Sequence, residues 1–268
     1  MKNKSWVEEP NLEIHSTALV HPGAVIAPGV RIGPFSTIGE HVRIGEGTQI
    51  ESHVVVEGRT EIGEQCHIFP FAYIGAIPQA LRYRGEPTQV VIGHHNVIRE
   101  YVTIHRGTAD GKGKTVLGDN NFVMGYSHIA HDCQVGNHVF MANASTLGGH
   151  ILVEDYAIIG GLVAIHQFVR VGRYAIIGGA SGVPMDIPPY MRAAGNRAKL
   201  FGLNTVGLKR HSFPEETVRA LKQAYKILFR SHLTSGKAIA KVEEEVPDLP
   251  EIRHLLSFMR TSERGVCR

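Results

Sequence analysis

The chain has 268 residues, 43% hydrophobic and 20% charged, with a net charge of +3. This is the profile of a folded globular protein, and it excludes a disordered chain or one that binds nucleic acid through bulk charge. No apolar run approaches the roughly 20 residues that cross a bilayer, residues 1–10 are polar with no signal-peptide core, and Cys66, Cys133 and Cys267 form no CxxC pair. A cytoplasmic protein is therefore expected, with no zinc framework, no nucleic-acid partner and no transmembrane segment.

Residues 1–13 read as an N-terminal extension. From Ile14 an aliphatic residue recurs every six positions, through Ile74, again from Ile92 to Ile104, and again from Leu117 to Val183, 26 hexads in all. Four residues after each, the chain is usually small or β-branched, as at Ser36, Thr60, Cys133 and Ser145. A period of six suits neither an α-helix nor a simple alternating strand. It suits short parallel strands joined by tight bends, three hexads making one triangular coil, with the aliphatics stacked inside and glycine easing the bends. The fold class is thus mostly β: a left-handed parallel β-helix over 14–189, followed by a small C-terminal helical domain over 190–268.

Two interruptions break the repeat. The first, around Gln79–Pro87, is polar with Gly and Pro punctuation; the gap from Ile74 to Ile92 is three hexads long, so the phase survives. The second, 108–114, is loop-like by composition. Excursions from a solenoid are where function concentrates.

In the third run the repeat acts as a ruler, because residues 18 apart lie on adjacent coils about 4.8 Å apart. His131, Gly149 and Gln167 form one column, and His150 lies over Asp132. His128 and His166 flank them, so a histidine-rich patch gathers at one prism edge. Three readings are open at this point. An imidazole there can act as a general base, with Asp132 orienting it and the bare Gly149 N–H facing an oxyanion. The patch can hold a metal. Or its histidines are solvated edge residues, as expected for His15, His21, His41 and His53.

The β-helix should end near Ile187-Pro188-Pro189, since consecutive prolines cannot donate to a ladder. After an irregular stretch, 213–232 reads as an amphipathic helix opened by Pro214 in its first turn, and 235–246 and 249–260 as two more. Between 187 and 214 lie Arg192, Arg197, Lys199, Lys209 and Arg210 without an acidic residue, which suits a diphosphate or an acidic partner.

The segments IREYVTIHRG (98–107), HIAHDC (128–133), LGGH (147–150), IHQF (165–168) and GLKR (207–210) closely resemble the UDP-N-acetylglucosamine O-acyltransferases, which open lipid A biosynthesis, and the likeness covers nearly the whole chain. That resemblance implies a homotrimer with clefts between neighbouring prisms. It implies transfer of an (R)-3-hydroxyacyl group from the 4'-phosphopantetheine arm of acyl carrier protein to the 3-position of a UDP-sugar, with no bound cofactor or metal. By the same resemblance His131 is the general base, supported by Asp132, and Gly149 an oxyanion donor. Gln79, Arg82, His128, His150, His166 and Gln167 hold sugar or pantetheine, and Asn204 and Arg210 the nucleotide. The acyl chain ends near Ile176 and Gly179, whose missing side chain implies a long chain, about fourteen carbons.

Three departures from the family pattern stand out: Ala80 where an Asp is usual, Arg82 for Lys, and Val206 where Glu is common. Arginine keeps the charge; the lost carboxylate opens the question of whether the acceptor carries a 3-hydroxyl or a 3-amino group. Other readings are a histidine-ligated metal enzyme of the hexapeptide class, and an N-acyltransferase of the same pathway, whose extra N-terminal uridine-binding domain has no room before Ile14.

Overall fold

A computed structural model describes residues 6–9 and 12–268; of the extension drawn at 1–13, residues 1–5, 10 and 11 lie outside them. Among the described residues the chain winds three parallel sheets into a triangular prism, visiting the first, second and third in turn. Strands come mostly as two-residue pieces paired with the coil 18 residues on, such as Ile129 with Leu147 and Leu147 with Ile165. Each hexad aliphatic points inward, and from Ile32 to Val183 all are buried. Each such residue contributes roughly 2 kcal/mol of apolar burial. The inward hydroxyls are satisfied: Ser36 donates to Glu51 O at 2.7 Å, and Thr48 to Gly63 O at 2.8 Å. Ile14, Val20 and Ile26 are only partly buried, because they form the end of the column. There Trp6–Glu9 closes the first sheet by pairing antiparallel with Leu12–His15.

The bends correct one expectation. The residue with left-handed φ is the third after the hexad aliphatic, and it is seldom glycine: Phe35, Phe71, Tyr126, Asp132, His150 and Tyr156 all have φ near +60°. Glycine directly after the aliphatic answers to crowding instead. A Cβ on Gly33 would lie 2.7 Å from the Glu51 carbonyl carbon of the next coil. Left-handed residues cost about 1 kcal/mol each, and stacking offsets this at two corners. Phe35, His53, Phe71, Tyr101 and Tyr126 form one ladder with centroids 4.7 to 5.1 Å apart. His138, Tyr156, Tyr174 and Tyr190 form another. His53 is therefore a rung between two phenylalanines rather than a merely solvated edge residue.

Both interruptions leave the same corner, between the second and third sheets. Tyr73–Ala76 leads through 77–88 to Gln89–Ile92, and Thr103–His105 through 106–113 to Lys114–Leu117. The 18-residue gap is thus one enlarged corner and not a full coil. Ile92 stacks on Ile62 and Leu117 on Ile92, so adjacent coils are 30 and 25 residues apart across the loops and 18 elsewhere.

Beyond Gly182–Val183 the chain adds a hairpin the sequence did not announce, Met191–Ala194 against Lys199–Leu203, which extends the first sheet. Four helices follow: α1 (Thr205–Arg210), α2 (Glu215–Arg230), α3 (Ser235–Glu245) and α4 (Pro250–Arg260). α1 falls in the stretch read as irregular; six residues are too few for a periodic signal. Pro214 is the N-cap of α2 and not part of its first turn, with Glu215 and Glu216 facing the helix dipole. The helices turn back along the prism: His254 of α4 lies 2.8 Å from Glu154, and Arg170 donates to Thr261 O.

Candidate active site

The corner from which both loops spring carries the histidine patch from the next coil on, one beyond the second loop and two beyond the first. His128 sits on the second-sheet strand His128–Ile129, and His131 and Asp132 occupy the bend that follows. Positive φ at Asp132 turns its carboxylate back beside its neighbour, and Nδ1 of His131 lies 2.9 Å from Oδ2. His150, one coil on, faces the same oxygen at 3.8 Å and meets the His131 ring edge-on. Its other face stacks on Phe168 at 4.5 Å.

Asp132 is fully buried, yet it is charged. Burial pushes its carboxyl up, but hydrogen bonds from His131, the Thr108 hydroxyl and N–H and the Lys112 N–H outweigh that and hold it at about 2. An anionic partner at Nδ1 favours, in the neutral ring, the tautomer that carries its proton there and turns the lone pair of Nε2 outward. A Cβ on Gly149 would lie 2.6 Å from Cε1 and 2.8 Å from Nε2 of that ring, so only glycine fits beneath it. Gly149 N–H has no acceptor among the described residues. An imidazole and an unpaired backbone amide therefore lie side by side at this corner.

The surrounding imidazoles are biased toward neutrality. Burial, then the neighbouring His128 and His131, depresses His105 to about 4; burial, then His131, lowers His128. Nδ1 of His128 is hydrogen-bonded with Thr103 Oγ1 at 2.7 Å, and the His105 ring meets it edge-on. Burial also lowers His150, with Asp132 opposing it. Burial drives the Cys133 thiol up to about 12, so it supplies no nucleophile.

A cleft of about 240 Å³ opens over His131 and His150, walled by Ala80, Arg82, Tyr83 and Glu86 of the first loop and by Thr108 and Asp110 of the second. The structure thus brings together His131, Asp132, Gly149, His150 and Arg82, with His128 adjoining. Gln167 lies on the same corner one coil above Gly149, its side chain exposed. Gln79 is exposed at the root of the first loop and does not line the cleft. His166 faces a separate groove of about 290 Å³ with Asn196 and Arg197.

Four candidates stand elsewhere on the prism. Asn204 caps α1, accepting from Gly207 N–H and donating to Tyr174 O, so its amide is already engaged. Arg210 ends the same helix, exposed, one residue before His211, which packs edge-on against Tyr156 and Tyr174. Ile176 is on the first sheet, and Gly179 is at the corner between the first and second. Sequence reasoning missed Thr108, Gly111 and Lys112. Their signal was a Thr-x-x-Gly turn in a loop, without a period to tie it to Asp132.

His131, Asp132 and His150 offer three ligand atoms within 4.8 Å of one another. The carboxylate oxygens, however, already accept from Thr108, Lys112 and His131, so a cation there must displace these donors.

Comparison with known proteins agrees across the chain. A family model described as UDP-N-acetylglucosamine O-acyltransferase, domain 2, matches residues 186–267, and one for the bacterial transferase hexapeptide (six repeats) matches 11–45 and 114–149. The acyl-[acyl-carrier-protein]–UDP-N-acetylglucosamine O-acyltransferase of Thermodesulfovibrio yellowstonii is 59% identical over 217 residues, covering 81% of this chain and 84% of its own. That of Syntrophobacter fumaroxidans is 52% identical over the same shares. Solved LpxA from Acinetobacter baumannii matches at TM-score 0.93 and 45% identity, over 95% of this chain and 99% of its own.

Proposed function

The chain belongs to the acyl-[acyl-carrier-protein]–UDP-N-acetylglucosamine O-acyltransferase family, and from that premise we propose how its loop-bearing corner performs the transfer. It is an acyltransferase of lipid A synthesis, moving an acyl group from acyl carrier protein to UDP-N-acetylglucosamine on a left-handed parallel β-helix. Nε2 of His131 takes the proton of the sugar 3-hydroxyl as its oxygen attacks the thioester carbonyl of an (R)-3-hydroxyacyl donor. The oxyanion that forms accepts from Gly149 N–H. Collapse breaks the C–S bond, and the 4'-phosphopantetheine thiolate recovers the proton from His131. Asp132 stays ionised and steadies the imidazolium. The phosphopantetheine arrives on the carrier protein; the chain's own residues supply the rest.

Arg82, His128, His150 and Gln167 hold the sugar and the reacting end of the donor, with Gln79 at the loop root and His166 beside the pantetheine. Arg210 reaches the nucleotide, and Asn204 fixes the helix that carries it. Ile176 and Gly179 border the end of the acyl groove. These last four lie away from the His131 corner of one prism, which supports a homotrimer in which a neighbour completes each cleft. Among the described residues no helix is long and apolar enough to cross a membrane, in keeping with a cytoplasmic reaction between two water-borne substrates. Ala80 leaves Glu86 and Asp110 as the carboxylates of the cleft wall; the relatives, named as O-acyltransferases of UDP-N-acetylglucosamine, support the 3-hydroxyl sugar as acceptor.

One observation carries this reading: the His131 ring, anchored through Nδ1 to the buried Asp132 carboxylate, lies directly over Gly149, whose N–H is unpaired among the described residues. The test is His131→Ala, assayed with 3-hydroxyacyl carrier protein and UDP-N-acetylglucosamine. A loss of about 10² to 10⁴-fold is expected; near-wild-type transfer refutes the base assignment.

A further inference from the structure

The second loop folds back over Asp132 and supplies most of its hydrogen bonds. The Thr108 hydroxyl donates to Oδ2 at 2.6 Å, and the Thr108 N–H is shared between both oxygens at 3.1 Å. Lys112 N–H donates to Oδ1 at 2.8 Å. The loop can approach this closely because Gly111 is bare: a Cβ there would lie 2.5 Å from Cγ of Asp132. Thr108 is itself only 8% exposed, and its hydroxyl is occupied by the carboxylate.

Oδ2, which takes the Thr108 hydroxyl, also faces two imidazoles, His131 at 2.9 Å and His150 at 3.8 Å. The terminal torsion of an Asp side chain is broad, so an unclamped carboxylate is free to divide itself between them. We propose that Thr108 is a positioning residue for the transfer: by clamping Asp132 it aims Oδ2 at Nδ1 of His131 rather than at His150, fixing the tautomer whose Nε2 is open to the hydroxyl proton. This rests on the reading of His131 as the base.

The titratable and charged groups around that ring are few. Asp132 lies on its own bend, His150 on the next coil, His128 on the preceding strand, His105 on the coil before, and Lys112 in the loop. Arg82, Glu86 and Asp110 face it across the cleft. Of these, Asp132 is the only one bonded to His131, so its aim decides how the ring is protonated.

The full-length Thr108→Val and Thr108→Ser enzymes, assayed across pH beside His131→Ala and Asp132→Asn, test this. The valine keeps the shape and the backbone N–H but removes the hydroxyl. It is expected to lose about 10- to 100-fold in kcat with little change in KM for the nucleotide sugar, the worth of one hydrogen bond to a charged group. The acid limb of its kcat profile should move to lower pH, in the direction of Asp132→Asn, because the imidazolium then shares its counter-charge with His150. Serine should restore both. Wild-type kcat and an unmoved profile in Thr108→Val, with His131→Ala inactive, overturn the proposal and leave the base reading standing. An active His131→Ala enzyme removes both. Nitrogen-15 shifts of the histidine rings in the unaltered protein give a check independent of folding in the variants: His131 carrying its proton on Nε2 overturns the proposal, and on Nδ1 supports it.

Discussion

Nδ1 of His131 lies 2.9 Å from Oδ2 of Asp132, the next residue in the chain. Neighbours on a regular strand point to opposite faces. Here the left-handed backbone of Asp132, φ +60°, turns both side chains onto one corner. A buried carboxylate and a partly exposed imidazole thereby become a single unit facing Gly149.

Adding one carbon at that glycine should disable the unit. A Gly149→Ala side chain would begin 2.6 Å from the His131 ring, forcing the imidazole off Asp132 and covering the free amide. Transfer is expected to fall about 100-fold or more, with the melting temperature little changed, since the ring can swing into the open cleft. Enzyme assays and thermal melts of the variant check both halves.

The charge on Asp132 predicts a pH-dependent stability difference. Its folded carboxyl is held near 2, below the roughly 3.9 of an unfolded aspartate. The stabilisation is therefore fully present above about pH 4 and is lost as pH falls through about 2. The wild-type melting temperature should exceed that of Asp132→Asn at neutral pH, and the gap should narrow through that window. A gap that widens on acidification contradicts the assignment.

His105 predicts a second, separate titration. Burial and two neighbouring imidazoles hold it neutral down to about 4, whereas the unfolded chain takes up that proton near 6.5. Its contribution to stability is present above about 6.5 and is lost as pH falls toward 4. Proton NMR should find one ring titrating near 4, and His105→Asn should flatten the fall in melting temperature between those values.

The acyl end of the reaction is tested by its products. Gly179 lacks a side chain, and a Cβ there would meet Gly161 O at 3.2 Å, so any larger residue narrows that corner. Mass spectrometry of the wild-type product should favour a chain of about fourteen carbons, and Gly179→Leu a shorter one. A preference for ten carbons in the unaltered enzyme contradicts the open-groove reading.

The hexads alone determined the coil, its inward column and the stacking of His131, Gly149 and Gln167, because a six-residue step is a local rule that every coil repeats and that fixes who lies above whom. The same rule put His150 over Asp132. It broke down where the chain left it: the two loops turned the 18-residue spacing into 30 and 25, and no period reveals that Thr108 and Lys112 come home to Asp132. It was equally silent on the short hairpin and α1 that place Asn204 and Arg210 at another corner. Those arrangements rest on contacts between residues far apart in the chain, where burial, the need to satisfy a buried carboxylate and the room left by a bare glycine choose among many loop paths. The sequence set the scaffold and its ruler; only tertiary packing decided which groups close around the charge.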